Sequence, residues 1–249
     1  MIHNPQLEGD PFFWPAGPIG ILLMHGFTAT TAEVRPLGKI LLQHGYTISG
    51  PLLPGHYTTP EDLNRIHWQD WITMAEESYR RLSQECEQVV VGGESTGGLL
   101  ALYLASQHPE AGAVLAYAPA LRLQLSWWDL LRLRLLAPFI AYRPKANMTG
   151  ETPWQGYPVN PLKGVLQLLA LQRVVRPLLT KIHQPLLVVQ GRKDLTVHSD
   201  VPETIRKAAQ SEKKEVVWME ESAHVVILEH ELPRVAEITL NFLRSALEE

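Results

Sequence analysis

The sequence predicts an α/β fold with a mostly parallel central sheet and helices on both faces of that sheet. Short apolar runs of strand length alternate with longer stretches of helical periodicity along most of the chain. Strands separated by helices in this way pair in parallel through right-handed crossovers. In such a sheet, chemically active residues gather at the carboxyl ends of the strands.

Length and composition set the outer limits. The chain has 249 residues, which suits one α/β domain with an insertion better than two domains. Its formal net charge is -4 and it has no clustered Lys/Arg run, so nucleic acid is not an expected partner. Cys86 is the only cysteine, which excludes an intramolecular disulfide and a cysteine metal cage.

The expected location is the cytoplasm. The lone cysteine is compatible with a reducing compartment, and residues 1–18 lack the basic start and apolar run of a signal peptide. The most apolar candidate for a membrane span, residues 130–140, is interrupted by Arg132 and Arg134. We therefore expect a soluble protein with no stable membrane insertion.

The chain begins with a strand and a helix. Residues 19–24 are aliphatic apart from one glycine and predict a buried strand. Thr30 and Glu33 then have the spacing of a capping box, and Pro36 suits the first turn of a helix. Gly45 provides the C-terminal stop of that helix.

A second strand and a long helix follow. Residues 46–50 predict the strand, and the prolines of residues 51–57 exclude strand structure from the loop after it. Residues 68–86 have the pattern of an amphipathic helix and lead into the central strand.

The centre of the chain predicts a strand, a tight turn and a helix. The three valines of residues 89–91 indicate a strand buried on both faces, and residues 99–106 are apolar all round, as in a buried helix. Ser95 lies in the turn, within Gly93-Glu94-Ser95-Thr96-Gly97. The glycines two before and two after it remove Cβ atoms that would clash with a strained nucleophile. The alternative is an ordinary glycine-rich turn.

The alternation stops between residues 119 and 184. After a strand at residues 112–117, two or three helical stretches follow one another with no strand between them. The predicted organisation is therefore a core made of residues 1–118 and 185–249, with a helical cap inserted at residues 119–184.

One helix of this insertion has three possible roles. In residues 126–137, Trp127, Leu131 and Leu135 recur at four-residue spacing. They could pack on the body of the protein, or Trp127, Trp128 and leucines such as Leu131 could line an apolar substrate pocket. Contact with a lipid surface is the third possibility. An irregular loop at residues 147–160 and a helix at residues 162–179 complete the insertion.

The strand and helix alternation resumes after the insertion. Residues 185–190 predict a strand that leads into Gly191-Arg192-Lys193-Asp194. Asp200 and Glu203 have capping-box spacing, so a helix should begin near residue 201. The last strand, residues 215–219, is followed by Glu221-Ser222-Ala223-His224, and an amphipathic helix at residues 232–247 closes the chain.

Three residues at carboxyl ends of predicted strands have complementary chemistry. Ser95, Asp194 and His224 occur in the order nucleophile, acid and base. A serine hydroxyl is a poor nucleophile at neutral pH, so it needs an imidazole to accept its proton. The imidazole in turn needs a carboxylate to fix its tautomer. These residues are the predicted catalytic set.

Two of these assignments have alternatives. Asp200 could replace Asp194, although its position suits helix capping better. His198 and His230 are possible replacements for His224, but the first lies in the acid loop and the second lies near the last helix.

At these motifs the chain resembles the α/β-hydrolase superfamily over nearly its whole length. The matching motifs are His25-Gly26-Phe27-Thr28, Gly93-Glu94-Ser95-Thr96-Gly97-Gly98, Gln190-Gly191-Arg192-Lys193-Asp194 and Ser222-Ala223-His224. Within that superfamily the chain is similar to small bacterial carboxylesterases and monoacylglycerol lipases. The resemblance implies an α/β-hydrolase fold and an oxyanion hole made by the backbone N–H groups of Phe27 and Thr96. Ala223, where glycine is usual, and the charged Glu94 depart from the family pattern.

The expected function is a serine carboxylic-ester hydrolase that forms an acyl-enzyme on short- to medium-chain acyl esters. The resemblance suggests monoacylglycerols among them. The alternatives are a non-catalytic ligand-binding protein of the same fold and a hydrolase of another acyl substrate. No H-E-x-x-H or G-x-x-x-x-G-K motif is present, and the histidines are scattered, so we expect no metal or nucleotide cofactor. The expected partner is a small-molecule ester, and the oligomeric state is left open.

Overall fold

The computed structural model describes residues 2–145 and 153–247. Nine strands are present in this part of the chain: β1 (Phe12–Trp14), β2 (Ile19–Met24), β3 (Thr47–Gly50), β4 (Gln88–Glu94), β5 (Val114–Tyr117), β6 (Tyr142–Pro144), β7 (Val159–Pro161), β8 (Leu186–Gly191) and β9 (Lys214–Met219). Seven of them form the main sheet in the order β1-β3-β2-β4-β5-β8-β9, and all neighbours pair in parallel except β1 with β3. Strands β6 and β7 form a separate antiparallel pair.

Eight α-helices lie among the described residues: α1 (Arg35–Gln43), α2 (Pro60–Leu63), α3 (Trp68–Glu85), α4 (Thr96–Gln107), α5 (Trp127–Leu136), α6 (Leu162–Leu178), α7 (Val201–Ala208) and α8 (Leu232–Leu247). Helices α3, α4, α6 and α7 contribute to one apolar core, and α1 and α8 contribute to a second. Strand β2 shows how the sheet separates them. Leu22 and Met24 belong to the first core, whereas Ile21 and Leu23 belong to the second, because alternate side chains point to opposite faces.

The predicted α/β fold is confirmed, and each predicted strand of the main sheet is present with ends shifted by a few residues at most. The sequence analysis missed β1, a three-residue edge strand within a segment rich in proline and glycine. It pairs antiparallel with β3. The rings of Phe12 and Trp14 lie 4.0 Å apart, and the Arg35 guanidinium packs over the Phe12 ring. Contacts with distant residues therefore hold this strand where local pattern is weak.

Both predicted capping boxes are wrong, although the helices begin close to the expected positions. The Thr30 side chain accepts the Ala32 N–H, but the Glu33 carboxylate is used elsewhere, as described below. Asp200 makes no side-chain cap; it forms ion pairs with Arg122 and His198. Proline in the first turn of α1 and of α7 suits a helix start at both places.

Residues 119–184 connect β5 to β8, and their described part contains no strand of the main sheet. Helix α6 packs on the first core through Leu168, Leu171 and Val175. Helix α5, in contrast, has no buried residue. The irregular loop predicted at residues 147–160 is partly outside the described residues, since 146–152 are not described; its later part leads into β7.

None of the helices in the described ranges is long and apolar enough to cross a membrane.

Candidate active site

Ser95 lies at the sharp turn between β4 and α4. Its backbone has φ 55° and ψ −107°, a conformation that L residues rarely adopt. The neighbouring chain holds it there: the Ser95 N–H donates to the Tyr117 carbonyl at 2.8 Å, and the Ser95 carbonyl accepts the Ala120 N–H at 2.9 Å. The turn therefore fixes the position of the hydroxyl above the carboxyl ends of the strands.

The glycines around Ser95 are required by close backbone contacts. A Cβ on Gly93 would lie 2.4 Å from the Met24 carbonyl oxygen, and one on Gly97 would lie 1.9 Å from that same atom. Both distances are below any tolerated contact, so α4 can approach β2 only with glycine at these positions. Glycine is therefore required at both positions, but the nearest clash that it avoids is with the Met24 carbonyl of β2 and not with the serine, which the sequence analysis had expected.

The structure brings the three predicted catalytic residues together. Ser95 Oγ lies 2.9 Å from His224 Nε2, and His224 Nδ1 lies 2.8 Å from Asp194 Oδ2. Asp200 is not part of this chain of hydrogen bonds, since its carboxylate pairs with Arg122 Nη1 at 2.6 Å. The arrangement lets His224 accept the Ser95 proton while a carboxylate holds its Nδ1–H.

Asp194 is held by four donors. Its Oδ1 accepts the N–H groups of Thr196 at 2.7 Å and Val197 at 3.0 Å, while Oδ2 accepts Gln190 Nε2 as well as the His224 ring. These bonds fix the position and orientation of the carboxylate.

The loop that carries His224 is held by a residue that the sequence analysis did not identify. The Glu229 carboxylate accepts the N–H of Ala223 at 2.6 Å and the N–H of Val225 at 3.0 Å, one on each side of the histidine. Burial lowers the pKa of His224, but Asp194, together with Glu33 and Glu229, more than offsets this, so the pKa is raised above its ordinary value. The histidine is thus oriented by two acids, one on its ring and one on its backbone.

The Gly26–Phe27 peptide lies beside Ser95. A Cβ on Gly26 would be 3.2 Å from Ser95 Cβ, and Phe27 lines the cavity that contains Ser95. Thr96 is the first residue of α4, where a backbone N–H has no partner within the helix. These two predicted oxyanion donors therefore flank the serine from different elements.

His25 holds the Gly26–Phe27 peptide through a hydrogen bond to its carbonyl group. Its Nε2 accepts the Leu53 N–H at 3.0 Å, so its Nδ1 carries the proton and donates to the Gly26 carbonyl at 2.9 Å. Burial lowers the pKa of His25 to about 4, which keeps the ring neutral at pH 7. The histidine of the His25-Gly26-Phe27-Thr28 motif is thus a buried structural residue.

Two further acids lie near the serine. Glu33 and Glu94 are both buried, and burial raises the pKa of each. Repulsion from Glu33 raises the pKa of Glu94 further, well above its usual range. Glu33 differs from Glu94 in having two donors: its Oε2 accepts the Gly26 N–H and its Oε1 accepts Trp154 Nε1.

A cavity of about 580 Å³ contains Ser95 and His224. Much of its wall comes from the insertion at residues 119–184, which contributes both apolar and polar side chains. The apolar side chains from the insertion are Leu123, Leu125, Trp154, Val165 and Leu168, and the polar ones include Gln124, Lys145 and Asn160. Such a mixture of apolar wall and a few polar groups is typical of a small-molecule site.

The structure does not place the predicted pocket residues in this cavity. Trp127 is 61% exposed, Trp128 is 54% exposed and Leu131 is 41% exposed, and none of them lines the cavity. The two indole rings stack on each other at 3.5 Å instead. The four-residue spacing predicted the helix correctly, but periodicity alone does not say toward which partner an apolar stripe points.

The described residues contain no group of three or more His, Cys, Asp and Glu side chains arranged to hold a metal ion.

One family model and two named proteins match this sequence over most of its length. The family model described as serine aminopeptidase S33 matches residues 19–231. The chain is 32% identical over 239 residues to the thermostable monoacylglycerol lipase of Bacillus sp. strain H-257, with 96% of each chain covered. It is 30% identical to a carboxylesterase of Bacillus subtilis strain 168, covering 94% of this chain and 95% of that one.

Two solved structures have the same fold as this chain. One, reported with LipS and LipT, two metagenome-derived lipolytic enzymes, has a TM-score of 0.90 and 30% identity, covering 96% of this chain and 99% of its own. A soluble variant of the monoglyceride lipase from Saccharomyces cerevisiae shares the fold with a TM-score of 0.81 at 16% identity, covering 95% of this chain and 91% of that one. The chain therefore belongs to the serine aminopeptidase S33 family of the α/β-hydrolases.

Proposed function

We propose that the chain is a serine hydrolase of carboxylic esters that works through an acyl-enzyme on Ser95. The observation that carries this proposal is the unbroken series of hydrogen bonds from Ser95 Oγ through His224 to Asp194, at the floor of a cavity. A serine, a base and an orienting acid are the groups that acyl transfer requires. Relatives named as a lipase and a carboxylesterase support the same chemistry.

Each group has one task in the proposed reaction. His224 Nε2 takes the Ser95 proton as Oγ attacks the ester carbonyl, and the carbonyl oxygen becomes an oxyanion. The N–H groups of Phe27 and Thr96 stabilise that oxyanion, which is where electrostatic catalysis is largest. The protonated His224 then gives its proton to the leaving alcohol.

The second half of the reaction repeats these roles with water. His224 removes a proton from water, which attacks the acyl carbonyl on Ser95. Collapse of the second tetrahedral intermediate breaks the bond to Ser95 Oγ, and His224 returns the proton to that oxygen. Asp194 keeps its charge throughout and holds the histidine in the tautomer that both halves need.

The proposed substrates are short- to medium-chain acyl esters. Leu123, Leu125, Val165 and Leu168 provide apolar wall from the insertion, which we treat as a cap over the site. Each methylene buried against such a wall contributes about 0.8 kcal/mol, close to fourfold in kcat/KM when it is fully realised in the transition state. Because the cavity is finite, kcat/KM should rise from acetate to medium chains and fall for long-chain triacylglycerols.

Monoacylglycerols are the first natural esters to try, on the strength of the Bacillus relative of that name. The family description names an aminopeptidase, so 4-nitroanilides of amino acids are the matching comparison for amide cleavage. The non-catalytic alternative is not favoured, because serine, base and acid are all in hydrogen-bonding distance. The single cysteine fits the proposed cytoplasmic location.

The test is hydrolysis of 4-nitrophenyl acetate, butyrate, octanoate and palmitate by the wild type and by Ser95→Ala. The expected result is turnover that peaks at a medium chain length and is abolished by the substitution. Turnover of 4-nitroanilides that exceeds turnover of the esters would indicate peptide substrates instead of esters. Ester turnover that survives in Ser95→Ala would show that the reaction does not pass through an acyl-enzyme on Ser95.

A further inference from the structure

The backbone segment that carries the Phe27 N–H is held by the insertion as well as by the core. Glu33 is the link. Its Oε2 accepts the Gly26 N–H at 2.5 Å, and its Oε1 accepts Trp154 Nε1 at 3.1 Å. One buried carboxylate therefore joins the residue before Phe27 to a tryptophan that lies 121 positions after Glu33 in the chain.

A second contact holds the other side of Phe27. Lys145 Nζ donates to Thr28 Oγ1 at 2.6 Å and lies 3.9 Å from the centre of the Trp154 ring. Burial lowers the pKa of Lys145 to about 7, and attraction to Glu33 opposes that shift. Attraction between Lys145 and Glu33 therefore favours the charged form of each, against the effect of burial on both.

The segment around Trp154 is itself fixed. The Tyr157 N–H donates to the Thr28 carbonyl at 2.9 Å, and Gly156 forms isolated bridges with Ala29 and His3. Asn4 Nδ2 donates to the Trp154 carbonyl at 2.8 Å. The segment is therefore clamped between the N-terminal residues and the loop after β2.

We propose that Glu33, anchored by Trp154 and charge-balanced by Lys145, is a positioning residue that sets the Gly26–Phe27 peptide in the orientation needed for its N–H to meet the oxyanion. This inference rests on the proposed ester hydrolysis. Glu33 lines the cavity, and the role proposed for it is to hold the Gly26 N–H. It acts through the Gly26 N–H, and Trp154 acts through Glu33.

The chemistry of the bonds explains why a carboxylate is used at this place. A carboxylate has two acceptor oxygens and no donor, so it can take an N–H on each side. Bonds from N–H groups to an ionised acceptor are the short and strong kind. The cost is a buried charge near the site where a second negative charge develops, and a neighbouring ammonium reduces that cost.

The variants Glu33→Gln, Glu33→Ala, Trp154→Phe and Lys145→Met separate these contacts. Trp154→Phe removes one N–H donor and keeps an aromatic ring at the position. Trp128→Phe is the matched control, because it makes the same change at an exposed tryptophan of the insertion outside the cavity. Three quantities are measured: kcat and KM for 4-nitrophenyl butyrate, the inhibition constant of an alkyl trifluoromethyl ketone, and amide hydrogen exchange of residues 25–29.

Misplacing one oxyanion donor by a fraction of an ångström should lower kcat by about 10-fold to 100-fold in the Glu33 variants, with KM changed less than about threefold. The trifluoromethyl ketone forms a tetrahedral oxyanion, so its binding should weaken by the same factor as kcat/KM. Trp154→Phe and Lys145→Met should show smaller effects of the same kind, and exchange at residues 25–29 should be faster in all four variants. The control should match the wild type.

The Glu33→Gln and Trp154→Phe changes should also be non-additive. Glutamine has one acceptor oxygen for these two N–H donors, so in Glu33→Gln the NH2 group opposes the N–H of either Gly26 or Trp154. Trp154→Phe removes that conflict, because the oxygen can then accept the Gly26 N–H. The double variant should therefore be no slower than Glu33→Gln alone. Additive losses would contradict a direct connection between the two residues.

The outcomes separate this inference from the proposed function. If the variants lose thermal stability while kcat, ketone binding and loop exchange stay at wild-type values, Glu33 is only a structural acid and the inference is overturned. If loop exchange changes but kcat and ketone binding do not, it is equally overturned. If the wild type hydrolyses no ester, the proposed function fails, and loop exchange alone still shows whether Glu33 and Trp154 hold this peptide.

Discussion

Asp194 differs from Asp200 in the groups that surround each carboxylate. Asp194 receives backbone and side-chain donors and the His224 ring, whereas Asp200 forms ion pairs with Arg122 and His198. Asp194→Asn should keep the fold and lower kcat by on the order of 10³-fold to 10⁴-fold, because the imidazole is then held in the wrong tautomer. Asp200→Asn should change kcat by less than about threefold. Steady-state kinetics on 4-nitrophenyl butyrate compares them, and the reverse ranking would show that the acid was assigned to the wrong residue.

The protonation of His224 predicts the acid side of the pH profile. The base must be neutral to accept the Ser95 proton, so kcat/KM should fall as pH drops through the pKa of His224. Burial lowers that pKa, and Asp194 with the more distant Glu33 and Glu229 raises it by more, so the midpoint in the free enzyme should lie above the ordinary value of 6.5. The residual activity of Asp194→Asn should show a lower midpoint. A midpoint unchanged by this substitution would contradict the electrostatic role of Asp194.

The buried Glu94 should make the stability of the folded protein depend on pH. Its pKa is raised in the folded state by burial and then by Glu33, so the folded protein holds a proton that the unfolded chain releases above its own pKa. The contribution of Glu94 to the free energy of unfolding is fully present below its pKa in the unfolded chain. It is lost as the pH rises toward its pKa in the folded protein. Relative to the wild type, Glu94→Gln should gain about 1.4 kcal/mol of unfolding free energy for each pH unit across that window.

Urea unfolding at pH 5 and at pH 8 measures this difference, and Glu61→Gln, a change at an exposed acid, is the control. A Glu94→Gln advantage that is equal at both pH values would mean that Glu94 is ionised in the folded protein throughout the range.

At the residue scale, the sequence predicted what local rules determine. Ser95 and its flanking glycines were predicted from the pattern of a single turn, although the contact that requires the glycines is with Met24 at the end of β2. Glu33 had a local explanation as the last residue of a capping box, and that explanation was wrong. Its real partner, Trp154, comes from a distant part of the chain, and no local pattern specifies such a pair.

At the scale of elements, α5 shows the limit of periodicity. An apolar stripe predicts a helix, but a buried stripe and an exposed one have the same spacing. Pocket lining, one of the three roles considered for it, does not match the structure, because no residue of α5 lines the cavity. Packing applies only to the other face of the helix, where Leu130, Leu133 and Leu136 are half-buried and α5 contacts α6. The cavity instead takes its wall from an extended segment before α5 and from α6, through residues such as Leu123 and Val165.

Substitutions in these two regions should therefore behave differently. Trp127→Ala and Trp128→Ala should leave kcat/KM for 4-nitrophenyl butyrate and octanoate within about twofold of the wild type. Leu123→Ala removes apolar wall and should lower kcat/KM for octanoate several-fold more than for acetate, at about fourfold per lost methylene contact. Chain-length profiles of the three variants measure this. An altered profile in either tryptophan variant would place α5 at the substrate after all.

At the scale of the whole molecule, the order of strands and helices was readable because each element repeats the same physical requirement. A parallel strand covered on both faces is mostly apolar. Strand β5 is apolar throughout, and β4 and β8 are apolar except for Gln88, Glu94 and Gln190. The edge strand β1 and the short β6–β7 pair are not buried on both faces, so their sequences carry less of this signal. The family match and the relatives agree with the fold that the buried strands specify.

The central claim is that Ser95 becomes covalently acylated, and active-site labelling tests it most directly. The wild type, Ser95→Ala and His224→Ala are treated with a fluorophosphonate, and the labelled residue is identified by peptide mass spectrometry. We predict one adduct on Ser95 in the wild type, none in Ser95→Ala, and labelling slower by on the order of 10³-fold in His224→Ala because the base is absent. Ester turnover by a wild-type protein whose Ser95 stays unlabelled, or an adduct on another residue, would contradict the claim.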